Sequence, residues 1–166
     1  MVSLYKAVPN RWVLSESKPV AILTYHGFFS LDNDPGESHW LMSEHDKAIA
    51  DGTEAIRLDP KFAWPYAIQG RAHPNQRDYN KALTDNTEAI RLDPKYAWAY
   101  NYQGEAYRLR GEYNKAIADC SEAIRRSPRF ASAYRNRGMA YEKKGERLLA
   151  EADFSEANRL ESTPGK

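Results

Sequence analysis

The side chains best suited to chemistry are histidines and a single cysteine, and their spacing argues against a catalytic or metal site. His39 and His45 are six residues apart, so one helix would not present them together as it presents ligands four residues apart. His45 and His73 stand where the chain has tyrosine 34 residues later, which favours packing roles. Cys120 is expected to be a small buried apolar residue. Since no phosphate-binding glycine loop or nucleophile motif is present either, the sequence predicts no enzyme, no metal and no cofactor.

The charge and composition of the chain exclude further classes of protein. The 166 residues carry 24 Lys and Arg against 23 Asp and Glu, a net charge of +1, which argues against general nucleic-acid binding and membrane-surface binding. Residues 105–147 are more basic, with eleven cationic against six anionic side chains, and could attract acidic peptides, although surface solvation is the commoner explanation. No apolar run is long enough to span a membrane, and the sequence after Lys6 does not read as a secretory signal. We therefore expect a cytoplasmic protein.

A repeat of 34 residues dominates the sequence. Residues 56–60 recur as residues 90–94 and, altered, as residues 124–128, and about half of the residues are identical between successive copies. Aromatic and aliphatic residues recur at helical spacing, and glycine and alanine stand where two helices must approach closely. Each copy ends its second helix before a proline, because proline disfavours the α conformation in the residue before it. The repeat therefore predicts pairs of packed helices.

Recurring tyrosine, glycine, alanine and proline positions define the repeat. They are Tyr66, Gly70, Ala82, Ala89 and Pro94 in one copy, Tyr100, Gly104, Tyr107, Ala116, Ala123 and Pro128 in the next, and Tyr134, Gly138, Tyr141, Ala150, Phe154 and Ala157 in the third. This pattern resembles the tetratricopeptide repeat (TPR) family, in which each unit is an antiparallel helix pair. The family's usual tryptophan is tyrosine here, and its usual leucine three residues later is Gln69, Gln103 or Arg137. The resemblance implies an all-α fold, an α-solenoid of about seven helices.

The helix positions follow from the repeat and from the residues that interrupt it. First helices are predicted near 63–74, 97–110 and 131–144, second helices near 78–92, 112–126 and 146–160, and a further helix at 45–58. Pro74 should shorten or kink the first of these by about a turn. Gly111 and Gly145 separate the two helices of a repeat. The predicted organisation is a non-repeat segment 1–42, a solenoid 43–161 and a flexible tail 162–166.

The non-repeat segment permits several interpretations. Residues 20–25 could form a strand or an apolar arm packed on the solenoid. Gly36 falls one period before Gly70, which suggests a decayed helix in this part of the chain. No fold is assigned to residues 1–34.

The resemblance implies that the first helices line a concave groove that binds a peptide segment of a partner protein. Apolar residues would bury partner side chains and polar ones would fix its orientation. The apolar set is Trp64, Ile68, Trp98, Tyr102 and Met139, and the polar set is Arg71, Asn101, Glu105, Arg135 and Asn136. An alternative is that Trp64 and Trp98 pack between adjacent helices as core. The five positions with which some TPR proteins clamp a chaperone tail are Ala67, Arg71, Tyr102, Ser132 and Asn136 here, so we expect no such clamp.

A second function class is structural self-assembly. No further helix follows the last repeat in this sequence, and Leu148, Leu149 and Phe154 could then be exposed and form a homo-oligomer contact. The charged residues Glu151, Glu156, Arg159 and Glu161 could instead solvate that face. The sequence thus predicts a protein-binding scaffold or adaptor whose partner is unidentified, with oligomerisation through the last helix as the alternative.

Overall fold

A computed structural model describes residues 6–8, 11–13, 42–73 and 78–162. Two short strands, β1 (Lys6–Val8) and β2 (Arg11–Val13), pair antiparallel with Lys6 opposite Val13. Seven helices follow in the described residues: α1 (Met42–Leu58), α2 (Ala63–Ala72), α3 (Tyr79–Leu92), α4 (Ala97–Leu109), α5 (Tyr113–Arg126), α6 (Ala131–Lys143) and α7 (Arg147–Ser162). The predicted α-solenoid is confirmed, and each predicted helix lies within a few residues of an observed one.

The first helix of the first full repeat is shorter than its counterparts. Helix α2 has 10 residues, whereas α4 and α6 have 13 each. This matches the shortening expected from Pro74, which itself lies outside the described residues. The strand or arm at 20–25 and the decayed helix near Gly36 also lie outside them. Ser162, which the sequence analysis assigns to the tail, is the last residue of α7.

Local chemistry sets the ends of the helices. The side chain of Asp93 accepts a hydrogen bond of 2.9 Å from the backbone N–H of Lys95, which stabilises the turn after α3. Gly111 and Gly145, between the helices of a pair, have φ angles of 84° and 79°. Glycine tolerates this left-handed conformation because it has no Cβ. The predicted role of both glycines is therefore confirmed.

Within a repeat, the two helices approach closely at a glycine of the first helix. A Cβ on Gly104 would lie 2.6 Å from Sγ of Cys120, and one on Gly138 would lie 2.8 Å from a ring carbon of Phe154. Alanines that are almost fully buried surround these contacts in both helices. Small side chains on α4 and α6 therefore allow the partner helix to pack against the backbone.

Between repeats, polar side chains join each first helix to the second helix before it. The Nε2 atoms of Gln69 and Gln103 each donate a hydrogen bond of 2.7 Å, to the hydroxyls of Thr53 and Thr87 respectively. Arg137 donates the equivalent bond in the next repeat, to Ser121 at 3.1 Å. These residues occupy the position where the family usually has leucine, so a row of hydrogen bonds runs along the solenoid there.

The contacts among helices define an inner face. Helix α4 contacts α2 and α6 directly, and within the described residues no comparable contact joins the second helices α3, α5 and α7. The first helices therefore lie closer together than the second helices, which makes the surface formed by α2, α4 and α6 the concave one. No helix in this part of the chain combines the length and apolarity needed to cross a bilayer.

Candidate peptide-binding groove

The two tryptophans predicted to line the groove are both half-buried. Trp98 makes an edge contact with Phe130 at a centroid distance of 4.1 Å and a tilted contact with Tyr102 at 5.7 Å. Trp64 stacks on Phe62 with centroids 6.0 Å apart. Each tryptophan therefore packs against neighbouring aromatic rings and keeps part of its ring accessible. Trp98 packs between adjacent helices, as the alternative interpretation expects, and groove binding by its accessible part stays a prediction.

Arg71 and Tyr102 connect α2 to α4. The guanidinium of Arg71 lies over the Tyr102 ring, 5.6 Å from its centroid, within the range of a cation–π contact. Tyr102 itself is only 4% exposed and belongs to a core cluster with Ala67, Ala89 and Ala99. The Arg71 charge is thus held above a buried aromatic ring at the junction of two repeats.

An amide pair connects α4 to α6. Nδ2 of Asn136 donates a hydrogen bond of 3.1 Å to Oδ1 of Asn101, which is 2% exposed. Because a buried amide without a partner is costly, this bond fixes the positions of both side chains. It also fixes the spacing of two first helices across the groove.

Charged residues complete the inner face. Glu105 lies 3.8 Å from Arg108 one turn further along α4. Arg135 donates to both carboxylate oxygens of Glu161 on α7, at 2.6 and 2.7 Å. Both signs of charge are therefore present, and the Arg135 guanidinium is oriented by the last helix.

Burial separates the ten predicted groove residues into two groups. Ile68, Asn101 and Tyr102 are buried, so they support the surface from below and offer a ligand little area. The remaining seven are half-buried: Trp64, Arg71, Trp98, Glu105, Arg135, Asn136 and Met139. The sequence predicts which helix face a residue occupies, whereas its depth depends on the neighbouring repeat.

Cys120 and His73, two of the side chains considered for catalysis, are both buried in the helix packing. Cys120 is fully buried beneath Gly104, and burial raises the pKa of its thiol, which keeps it protonated. His73 is also buried, with Nε2 3.1 Å from a carboxylate oxygen of Asp85. The packing roles expected of both residues are confirmed. The side chain of His45 lies outside the described part, within which no group of three or more metal-ligating residues converges.

Comparisons with known proteins agree with this architecture. A family model described as "TPR repeat" matches residues 104–145, and one described as "Tetratricopeptide repeat" matches residues 87–118. The crystal structure of MamA is 33% identical to the chain and aligns with a TM-score of 0.63 over 73% of this chain and 71% of that one. The chain belongs to the tetratricopeptide repeat family. TPR proteins generally mediate protein–protein interactions.

Two further TPR structures resemble the chain. The Arabidopsis OM64 TPR domain is 30% identical, with a TM-score of 0.58 over 61% of this chain and 84% of that domain. TTC0263, a TPR protein of Thermus thermophilus, is 27% identical, with a TM-score of 0.66 over 74% of this chain and 69% of that one. No curated protein sequence matches the chain significantly.

The hydrogen bonds between each first helix of this TPR chain and the second helix before it are not among the sequence predictions. Gln69, Gln103 and Arg137 enter those predictions only as departures from the family leucine, without partners. The signal was present, because Thr53, Thr87 and Ser121 are themselves one period apart. A donor row and a hydroxyl row with the same period indicate bonding between consecutive repeats.

Proposed function

We propose that this TPR chain is an adaptor that binds a peptide segment of a partner protein along the inner face of α2, α4 and α6. The observation that carries the proposal is the set of seven half-buried side chains on these three helices. They lie on the same helices as the buried residues Ile68, Asn101 and Tyr102. The contacts of Arg71 with Tyr102 and of Asn136 with Asn101 hold neighbouring first helices in place. A preformed surface lowers the cost of binding, although the peptide must still be ordered, so modest affinity is expected.

The half-buried residues of the proposed binding surface form an apolar set and a polar set. Trp64, Trp98 and Met139 offer apolar area to partner side chains. Arg71, Glu105, Arg135 and Asn136 offer hydrogen bonds and charges of both signs, which set orientation and exclude poorly matched segments. A ligand that carries both apolar and charged residues fits this composition.

Binding can be tested with substitutions that spare the core. Glu105→Lys with Met139→Asp changes two half-buried groove residues, and Glu88→Lys with Ala118→Asp makes the same change of charge on second helices. Proteins captured from a lysate would be compared by mass spectrometry, after circular dichroism has verified that both variants are folded. We expect the groove variant to lose at least one partner by about tenfold and the matched control to retain it. Equal recovery by both variants would contradict groove binding.

Truncation of Trp98 and Tyr102 is a poorer test of the same surface. Tyr102 lies in a core cluster, and Trp98 packs against Phe130 in the next repeat. Removing a buried aromatic side chain costs about 3 to 5 kcal/mol, so lost binding could simply reflect unfolding. Substitution of the half-buried residues Glu105 and Met139 separates lost binding from unfolding.

Self-association is a second candidate, favoured by two exposed leucines at the start of α7. Leu148 is 82% exposed and Leu149 is 48% exposed, whereas the previous repeat has Asn114 and Lys115 at these positions. Exposed neighbouring leucines favour contact with another apolar surface.

The face of α7 that corresponds to the α5 surface packed against the following repeat is less suited to stacking on a second copy of the chain. Glu151 and Asn158 stand one period after Ile117 and Ile124 of α5. Ile124 packs against the cluster that contains Phe130 and Ala133 of the following repeat, so α7 has a polar residue where α5 has this apolar contact. Light scattering of the wild type and of Leu148→Asn/Leu149→Lys tests the second candidate. A mass that rises above 19.0 kDa with concentration only in the wild type would support it, and a constant monomer mass would eliminate it.

A further inference from the structure

An aspartate recurs at one position of the second helices α3, α5 and α7, and its environment differs between them. Asp85 on α3 lies 3.1 Å from Nε2 of His73, the residue that follows α2. Asp153 on α7 accepts two hydrogen bonds from Arg137 on α6, at 2.7 and 2.8 Å. Each of these carboxylates therefore faces a nitrogen donor from the first helix of its own repeat or from the residue that follows that helix.

Asp119 is the corresponding aspartate on α5, and no such nitrogen donor faces it among the described residues. The positions that hold His73 and Arg137 in the neighbouring repeats hold Tyr107 and Gln103 here. Oδ2 of Asp119 is buried and has no hydrogen-bond partner among the described residues. Burying an ionised carboxylate without compensation is costly, which favours its protonated form.

The charged groups on the helices around Asp119 do not compensate it. Glu105 and Arg108 on α4 and Arg137 on α6 act on the adjacent Cys120 thiol. Arg108 lies 3.8 Å from Glu105, and the guanidinium of Arg137 is bound by Asp153 and Ser121. Desolvation is left as the dominant influence, and it raises the pKa of Asp119 to about 7.

We propose that Asp119 is a pH-sensitive element of the fold, whose protonation tightens the packing of α4 against α5 and whose ionisation loosens it. In the unfolded chain an aspartate ionises near its ordinary pKa of about 4, whereas the folded chain holds the proton up to neutral pH. The folded state thus binds more protons between about pH 4 and pH 7. Its stability falls as the pH rises through this window and then remains at the lower level.

The titration of Asp119 tests the proposal directly, by carbon NMR of its carboxyl group in the full chain. We expect a midpoint within about one unit of pH 7, and a midpoint near pH 4 would overturn the proposal. Gln103→Arg transplants the arginine of the next repeat to the position facing Asp119. We expect this variant to lower the midpoint by more than about one pH unit, because it supplies the missing cation. An unchanged midpoint in the variant would count against the assigned geometry.

Thermal unfolding at two pH values measures the effect of Asp119 ionisation on stability. Asp119→Asn removes the titrating charge, so its Tm should exceed that of the wild type by about 4 °C or more at pH 8, and the difference should shrink at pH 5. Asp153→Asn is the control, because it removes a paired carboxylate and should lower the Tm at both pH values. A Tm difference for Asp119→Asn that is the same at pH 5 and pH 8 would contradict the proposal. If this variant does not fold, the titration of the wild type decides.

Discussion

The guanidinium of Arg137, in the third repeat, joins three helices. Arg137 on α6 bonds to Asp153 on α7 and to Ser121 on α5, and it lies over the ring of Tyr134, 5.5 Å from the centroid. Hydrogen bonding to Asp153 is the main cause of the raised pKa of Arg137. A leucine at this position could make only apolar contacts. Arginine therefore adds directional bonds both within the repeat and to the previous one.

Removing the Arg137 side chain should leave Asp153 buried and uncompensated. We predict that Arg137→Ala lowers the free energy of unfolding by about 2 to 3 kcal/mol, toward the lower end for buried pairs because the arginine keeps some exposure. Urea denaturation followed by circular dichroism measures this change. Arg91→Ala is the control, because its bidentate pair with Glu88 is exposed and should contribute little. Equal losses of unfolding free energy in the two variants would mean that burial adds nothing to the stabilisation by the Arg137–Asp153 pair.

At the scale of helices, the close approach of α4 and α5 depends on the absence of a side chain at Gly104. The nearest groups are Sγ of Cys120, 2.6 Å from an added Cβ, and the carbonyl oxygen of Ala116, at 3.2 Å. Backbone cannot move aside as a flexible side chain can. A side chain at residue 104 therefore requires the Cys120 side chain or the backbone of α5 to shift.

We predict that Gly104→Ala lowers the free energy of unfolding by about 1 to 3 kcal/mol through overpacking, despite the better helix propensity of alanine. Adding Cys120→Ala should recover part of this loss, because it removes the sulfur that the new methyl group meets. A double-mutant cycle measured by chemical denaturation gives the coupling. A Gly104→Ala variant as stable as the wild type would show that the helices can separate without cost.

Local signals explain why the helices could be predicted from the sequence. The turn after Asp93, the glycines at 111 and 145 and the apolar periodicity are encoded within a few residues of each helix end. Burial and bonding between repeats are not encoded locally. The partner of Gln103 is Thr87 in the previous unit, and Asn101 is buried because α6 brings Asn136 against it. The helices could thus be predicted, whereas the burial of Asn101 and the hydrogen bonds between repeats could not.

At the scale of the whole molecule, the described helices contact mainly their neighbours in sequence, as expected for a solenoid. The first helices form the exception, since α4 touches both α2 and α6. This arrangement places side chains from three repeats on one continuous inner face. The proposed function depends on that face, and a partner that contacts one first helix should also contact its neighbours.

Site-specific photocrosslinking shows directly whether a partner lies against the inner face of α2, α4 and α6. A photoreactive amino acid would replace Glu105 on the inner face in one variant and Glu88 on α3 in the other, two glutamates with side-chain exposures of 35% and 32%. After irradiation in a lysate, covalent adducts would be identified by mass spectrometry. If the partner binds in the groove, adducts form from position 105 that are absent from position 88. Adducts from position 88 alone, or the same adducts from both positions, would contradict groove binding.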